Sequence, residues 1–240
     1  MKEILHVMRY DFISVKSTAI GMLFILGIFA VPGAFLITPY SGLLALEFLP
    51  IILIGPLQMF DGKYGNKLHG ILPVHRKSIT RGRFALYTVM FLSIELFVML
   101  LSTAAIYADL NELLPVDSVS FLREQQFAFE TEMLPELFCM CSMMSMFFWL
   151  LFSFFEMTGQ IFGKENEMKV FIICGIVVVG LIVGVLTLTD AGILPYFQVP
   201  ELPDTMPGVI RFAVIGNITM GVLCAVFCEI TAHAVSKREL

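Results

Sequence analysis

Six long apolar runs set the pattern of this chain, each ending at charged or turn-forming residues. They cover residues 17–38, 41–60, 84–107, 137–158, 170–189 and 209–231. A bilayer core of about 30 Å takes about 20 residues at a rise of roughly 1.5 Å each. Each run therefore has the length of one crossing. The fifth is rich in Val and Ile, which favour strands in water. Inside a bilayer every backbone group must be paired within the segment, so a run this long predicts helix. A membrane β-barrel would show alternating segments of about ten residues, and this sequence has none. The pattern predicts an all-α integral membrane fold of six transmembrane helices in one domain spanning residues 1–240.

Composition agrees with the pattern. Hydrophobic residues make up 58% of the chain and charged ones 15%, against about 45–50% and about 25% in soluble domains. This excludes a soluble enzyme, a nucleic-acid binder and a disordered chain.

Charge adds an orientation. With the N-terminus inside, the inner segments hold Lys2, Arg9, Lys16, Lys63, Lys67, Arg76, Lys77, Arg81, Arg83, Lys164, Lys169, Lys237 and Arg238. Only Arg123 and Arg211 fall outside, as the positive-inside rule requires. The outer segments, 108–136 and 190–208, carry Asp109, Glu112, Asp117, Glu124, Glu130, Glu132, Glu136, Asp190, Glu201 and Asp204. Both termini are thus expected in the cytoplasm. A cleaved leader is not expected: the N-terminal stretch contains Glu3 and Asp11, and no convincing small-residue cleavage site follows the first run.

Between the runs, residues 1–16 place Ile4, Leu5, Met8, Phe12 and Val15 on one helical stripe, with Lys2, His6, Arg9 and Lys16 beside it. That pattern predicts an amphipathic interfacial helix. Residues 118–133 could form a surface helix. Pro195, Pro200, Pro203 and Pro207 resist a continuous helix over 190–208, leaving a re-entrant hairpin or a surface segment.

No catalytic constellation emerges. The glycines at Gly159 and Gly163, before Lys164 and Glu165, are one residue too close for a nucleotide-binding loop and lack its hydroxyl. His6, His69, His75 and His233 have no second ligand at helical spacing. The cysteines, Cys139, Cys141, Cys174, Cys224 and Cys228, form no C-x-x-C pair and read as small buried hydrophobes. Gly180 and Gly184 make a weak small-x-x-x-small match. More informative is the third run, where Thr88, Glu95 and Ser102 recur every seven residues as one polar stripe. An ionised acid at mid-bilayer costs about 2.5–3.5 kcal/mol on insertion scales, so this stripe should face protein or water. It reads equally as a pathway lining or as hydrogen-bonded packing. Glu47, Glu156 and Glu229 lie nearer helix ends and read as packing or water-facing acids.

The loop 61–83 carries the most specific signal. It contains Lys63, Tyr64, Asn66, Lys67, Leu68 and His69, then Leu72-Pro73-Val74-His75-Arg76-Lys77-Ser78-Ile79, then Arg81-Gly82-Arg83. This leucine–proline turn with a basic lead into the third helix resembles that of the small permease subunits of bacterial type-2 ABC exporters. The resemblance extends to the order of elements along the whole chain. It implies that two copies, or this chain and a related one, pair around a pathway in the cytoplasmic membrane. It also implies separate ABC ATPase subunits that bind ATP and Mg, with no cofactor in this chain. A coupling helix near 62–70 would dock on those subunits, engaging Lys63, Tyr64, Asn66, Lys67, Leu68, His69, Leu72, Pro73 and Arg76. Glu95, Thr88, Ser102 and Glu47 would line the pathway or pack beside it. Such exporters carry peptides, drugs, lipids and polysaccharides; the small size here favours an amphipathic peptide or hydrophobic compound. The competing expectation is a stand-alone channel or proton-coupled transporter using Glu95.

Overall fold

The computed structural model describes residues 2–36, 39–43, 48–51, 54, 75–108, 131–190 and 202–237. Among them every regular element is helical. Helix α1 spans Lys2–Leu36 and a short 3-10 turn spans Pro39–Leu43. Helix α2 is Arg76–Ala108, α3 is Leu134–Phe162, α4 is Lys164–Asp190 and α5 is Met206–Ser236. Among the described residues four stretches are long and apolar enough to cross a membrane: Arg76–Ala108, Thr131–Phe162, Met168–Thr189 and Met206–Ser236. The protein is therefore a helical membrane protein in character.

Local chemistry sets the helix ends. Pro135 and Pro207 sit in the first turns of α3 and α5, where a missing N–H costs nothing. The His75 carbonyl accepts the N–H groups of Ser78 and Ile79 at 2.8 and 3.2 Å, opening α2. Gly163 separates α3 from α4 with φ +88°. Only glycine takes that conformation without a steric penalty.

Helix α2 is the hub. Near its first turns, Ser78, Gly82 and Arg83 meet Glu3, Val7 and Asp11 of α1. Near its far end, Leu101 and Ala105 pack with Val31, Ala34 and Phe35. The two helices thus run parallel. Helices α3 and α5 run antiparallel to α2: Arg83 faces Glu156 while Glu95 faces Ser142, and Arg81 faces Glu229 while Glu95 faces Asn217. We call the end holding Arg76, Lys77, Arg81 and Arg83 the basic end.

Because α1 and α2 are parallel, the chain between them returns from the far end to the basic end. The described pieces trace that return. Gly42 lies against Ser102, Leu43 and Leu49 join Ile94 and Val98, and Ile54 joins Phe84, Tyr87 and Phe91. The remainder of the second expected span lies outside the described residues. So do the expected surface helix up to residue 130 and positions 191–201 of the proline-rich segment.

One difference from the sequence expectation stands out. Residues 2–16 are not set off from the first apolar run: Lys2–Leu36 is one helix, with Pro32 inside it. Its face buried against α2 near the N-terminus is Val7 and Asp11, while Leu5 and Phe12 of the apolar stripe stay exposed. Gly82 is the reason. A Cβ there would stand 2.8 Å from Val7 Cγ1 and 2.9 Å from Val7 Cβ, so its absence lets α1 lie directly against α2.

The two largest apolar clusters among the described residues lie along α2. The one toward the far end includes Ile94, Val98, Ile106, Leu134, Leu137 and Cys141. The one toward the basic end includes Phe84, Tyr87, Phe91, Trp149, Met220 and Cys224. Outward faces are also apolar, for example Leu92, Leu96 and Leu100 on α2 and Ile215, Ile218 and Val222 on α5. Helix α4 packs against α3, yet none of its described side chains over Met168–Thr189 is buried. A helix apolar on every side suits lipid rather than water.

Candidate functional site

Two buried polar clusters interrupt this apolar bundle. The first lies at the basic end. Arg83 is 7% exposed, Asp11 3% and Glu156 1%. The Arg83 guanidinium donates from Nη1 to Glu156 Oε1 at 3.2 Å and stands 3.6 Å from Asp11 Oδ2 through Nε. Tyr87 donates its hydroxyl to Glu156 Oε2 at 2.8 Å. Gln160 donates to Glu156 Oε1 at 2.6 Å and accepts from Thr80 at 2.7 Å. One cation and two carboxylates are thereby tied together across α1, α2 and α3. Each charge has a partner, which is the condition under which buried charges are tolerated.

Around this cluster the first turns of α2 are fastened on every side. Ser78 donates to Glu3 of α1 at 2.8 Å. Arg81 makes a two-pronged pair with Glu229 of α5, at 2.9 and 2.8 Å. Within the stretch 78–83, side chains thus reach α1, α3 and α5.

The second cluster lies between the two apolar clusters. Glu95 is 3% exposed. Its Oε1 accepts from Ser142 of α3 at 2.8 Å and from Asn217 of α5 at 3.1 Å. Cys141 Sγ donates to the Glu95 backbone carbonyl at 3.7 Å. Ser145, one turn along α3 from Ser142, also faces the carboxyl. One turn nearer the basic end, the Trp149 ring stacks on Phe91 at 6.3 Å. Close helix approach here needs small residues. At Gly216, beside Asn217, the Met146 side chain occupies the place of a Cβ.

The polar stripe of α2 points into the bundle along its whole length. Thr88 donates to the Phe84 carbonyl at 2.9 Å and lies 3.8 Å from Cys224 Sγ. Ser102 donates to the Pro39 carbonyl at 3.4 Å, pinning the 3-10 turn. Beside that turn, burial and the Glu136 carboxyl push the Tyr40 hydroxyl above its ordinary pKa. Three residues at heptad spacing therefore meet three different partners, and only Glu95 is charged.

Other expected site residues are placed less closely. Arg76 is the first residue of α2 and is exposed. Lys63, Tyr64, Asn66, Lys67, Leu68, His69, Leu72 and Pro73, and also Glu47, lie outside the described residues. Glu229 is exposed, as its helix-end position suggests, but Glu156 is not: Arg83, Tyr87 and Gln160 enclose it. The sequence carried a signal for this. Thr80, Arg83 and Tyr87 share one face of α2, and Glu156 and Gln160 are four apart on α3. Gly180 and Gly184 of α4 face open space among the described residues. No group of three or more His, Cys, Asp and Glu that could hold a metal ion occurs among the described residues.

Comparisons of the chain with protein-family models, with curated proteins and with solved structures gave no match. The functional reading therefore rests on the residues and their geometry.

Proposed function

We propose that this chain is the membrane-spanning subunit of an ATP-driven type-2 ABC exporter in a bacterial cytoplasmic membrane. It would form a translocation pathway with a second permease copy and be driven by separate ATPase subunits. In this reading the helices make six crossings, α1 and the return segment 39–60 supplying two of them, with both termini and the basic end in the cytoplasm. The parallel course of α1 and α2 supports a crossing between them.

One observation carries the proposal. The turns of α2 that directly follow the loop 61–74 are fixed to α1 through Glu3, Val7 and Asp11, to α3 through Glu156 and Gln160, and to α5 through Glu229. Force applied to the loop by a docked ATPase would reach three neighbouring helices within two turns. A loop serving only as a positive-inside anchor needs no such fastening. The chain itself performs no chemistry; it converts closure of an ATPase dimer into a shift of the pathway. An amphipathic peptide or hydrophobic compound fits its largely apolar helix faces.

The test is charge reversal of the loop in the assembled complex. Lys67→Glu combined with Arg76→Glu should abolish substrate-stimulated ATPase activity while leaving helicity unchanged by circular dichroism. Stimulated activity retained at the wild-type level would contradict the proposal. A second reading, a stand-alone channel or proton-coupled transporter, draws on the buried Glu95 and predicts solute movement in vesicles without any ATPase.

A further inference from the structure

The bonds made at Glu95 leave a specific remainder. Among the described residues, Glu95 Oε2, Ser145 Oγ, Trp149 Nε1 and Asn217 Oδ1 are buried atoms with no hydrogen-bond partner. Glu95, Ser145 and Trp149 are at most 3% exposed, so bulk water does not satisfy them. Three of them sit at the cluster, where Asn217 and Ser142 hold the other carboxylate oxygen and Ser145 faces the carboxyl; Trp149 stacks on Phe91 one turn nearer the basic end. Unmet polar atoms in an apolar bundle are costly, at about 1–3 kcal/mol each. Native structures seldom tolerate them without a ligand or functional reason.

Charge and donor type define what fits. Three of the four atoms are oxygens: a carboxylate, a side-chain amide carbonyl and a hydroxyl. Ser142 adds a second hydroxyl. Oxygen donors suit hard cations. Among the described residues no Lys, Arg or His pairs with Glu95, so the cluster holds one carboxylate and no internal counter-charge. A divalent ion would leave a net positive charge between two apolar layers. A monovalent ion leaves none.

We propose that Glu95, Ser142, Ser145 and Asn217 form a binding site for a monovalent alkali cation halfway along the bundle. Asn217 is the only partly exposed member. Bound there, the ion draws α2, α3 and α5 together, and its release frees them. The site is independent of the exporter reading and is tested without any ATPase.

Trp149 is the only tryptophan in the chain and lies one helical turn from Ser145, so its fluorescence reports on the neighbourhood of the site. The purified full-length protein in detergent is titrated with NaCl and KCl against choline chloride, at constant ionic strength and pH. Binding of radioactive sodium and rubidium is measured in parallel by scintillation proximity. One ion bound per chain, with a saturable emission change, is expected. Glu95→Gln should weaken binding at least tenfold, and Ser145→Ala about threefold. Absence of saturable uptake of either ion overturns the site, as does wild-type affinity in Glu95→Gln. An emission change that follows pH alone in choline, with no ion bound, also overturns it in favour of a proton. If Glu95→Gln does not fold, wild-type affinity in Ser145→Ala overturns the proposal instead.

Discussion

Two acids on neighbouring helices meet opposite treatment. Glu156 at the basic end and Glu95 at mid-bundle are buried to nearly the same degree. Glu156 is closed within the protein by Arg83, Tyr87 and Gln160. Glu95 receives the neutral donors Ser142 and Asn217 on Oε1. Hydrogen bonds alone reduce the cost of a buried charge but leave its field uncompensated. Burial therefore does not distinguish a structural acid from a functional one; the identity of the partners does. The Arg83 cluster has the composition of a fastening, and the Glu95 cluster that of a site awaiting a charge from outside.

The largest expected effect falls on the fastening. Arg83→Met leaves Asp11 and Glu156 buried beside each other without their cation. It should destabilise the protein by about 3–5 kcal/mol, read as a lowered unfolding midpoint in detergent. Adding Asp11→Asn and Glu156→Gln to the same chain should recover most of that loss. If the triple variant is no more stable than Arg83→Met, charge pairing is not what the cluster contributes.

At mid-bundle the order is different. Glu95→Leu strands Ser142 and Asn217 and should cost about 1–3 kcal/mol. Glu95→Gln keeps the shape and an acceptor oxygen for those donors. In choline it should stay within about 1 kcal/mol of the wild type, because no internal ion pair is lost. Equal losses from Glu95→Gln and Glu156→Gln in that buffer would erase the distinction between the two clusters.

Backbone contact is a third term. Gly82→Ala places a Cβ against Val7 and should cost about 1–3 kcal/mol through overpacking. A compensating Val7→Ala should restore part of it. The smallest effect belongs to Arg81→Ala. Its pair with Glu229 has good geometry, yet the two side chains are 44% and 62% exposed. An exposed pair contributes about 0.2–1 kcal/mol and weakens with salt. A loss comparable to that of Arg83→Met would show that exposure, too, fails to separate the two kinds of contact.

Much of this architecture was legible in the sequence because a bilayer imposes length and apolarity directly. The third to sixth runs fall within Arg76–Ala108, Thr131–Phe162, Met168–Thr189 and Met206–Ser236. The heptad stripe of Thr88, Glu95 and Ser102 predicted a protein-facing side, and all three point inward. Less legible was whatever depends on which helices touch. Residues 2–16 have an amphipathic stripe, but a glycine 75 positions beyond Val7 decides which face is buried. Arg83 read as one more positive charge at a membrane edge, since nothing local marks Asp11 and Glu156 as its partners. Asn217 and Ser145 were invisible for the same reason. Each is one polar residue in a long apolar run, and acquires meaning only when α3 and α5 close on α2.

The central claim is that these helices are moved by a separate ATPase acting on the loop before α2. The most direct measurement is purification of the chain from its native membrane in mild detergent, followed by mass spectrometry of the intact complex. The account predicts two permease chains bound to two subunits of an ATPase carrying Walker motifs, and loss of those subunits when Lys67 and Arg76 are reversed to Glu. A chain that purifies without any ATPase and still moves solute across reconstituted vesicles would contradict it.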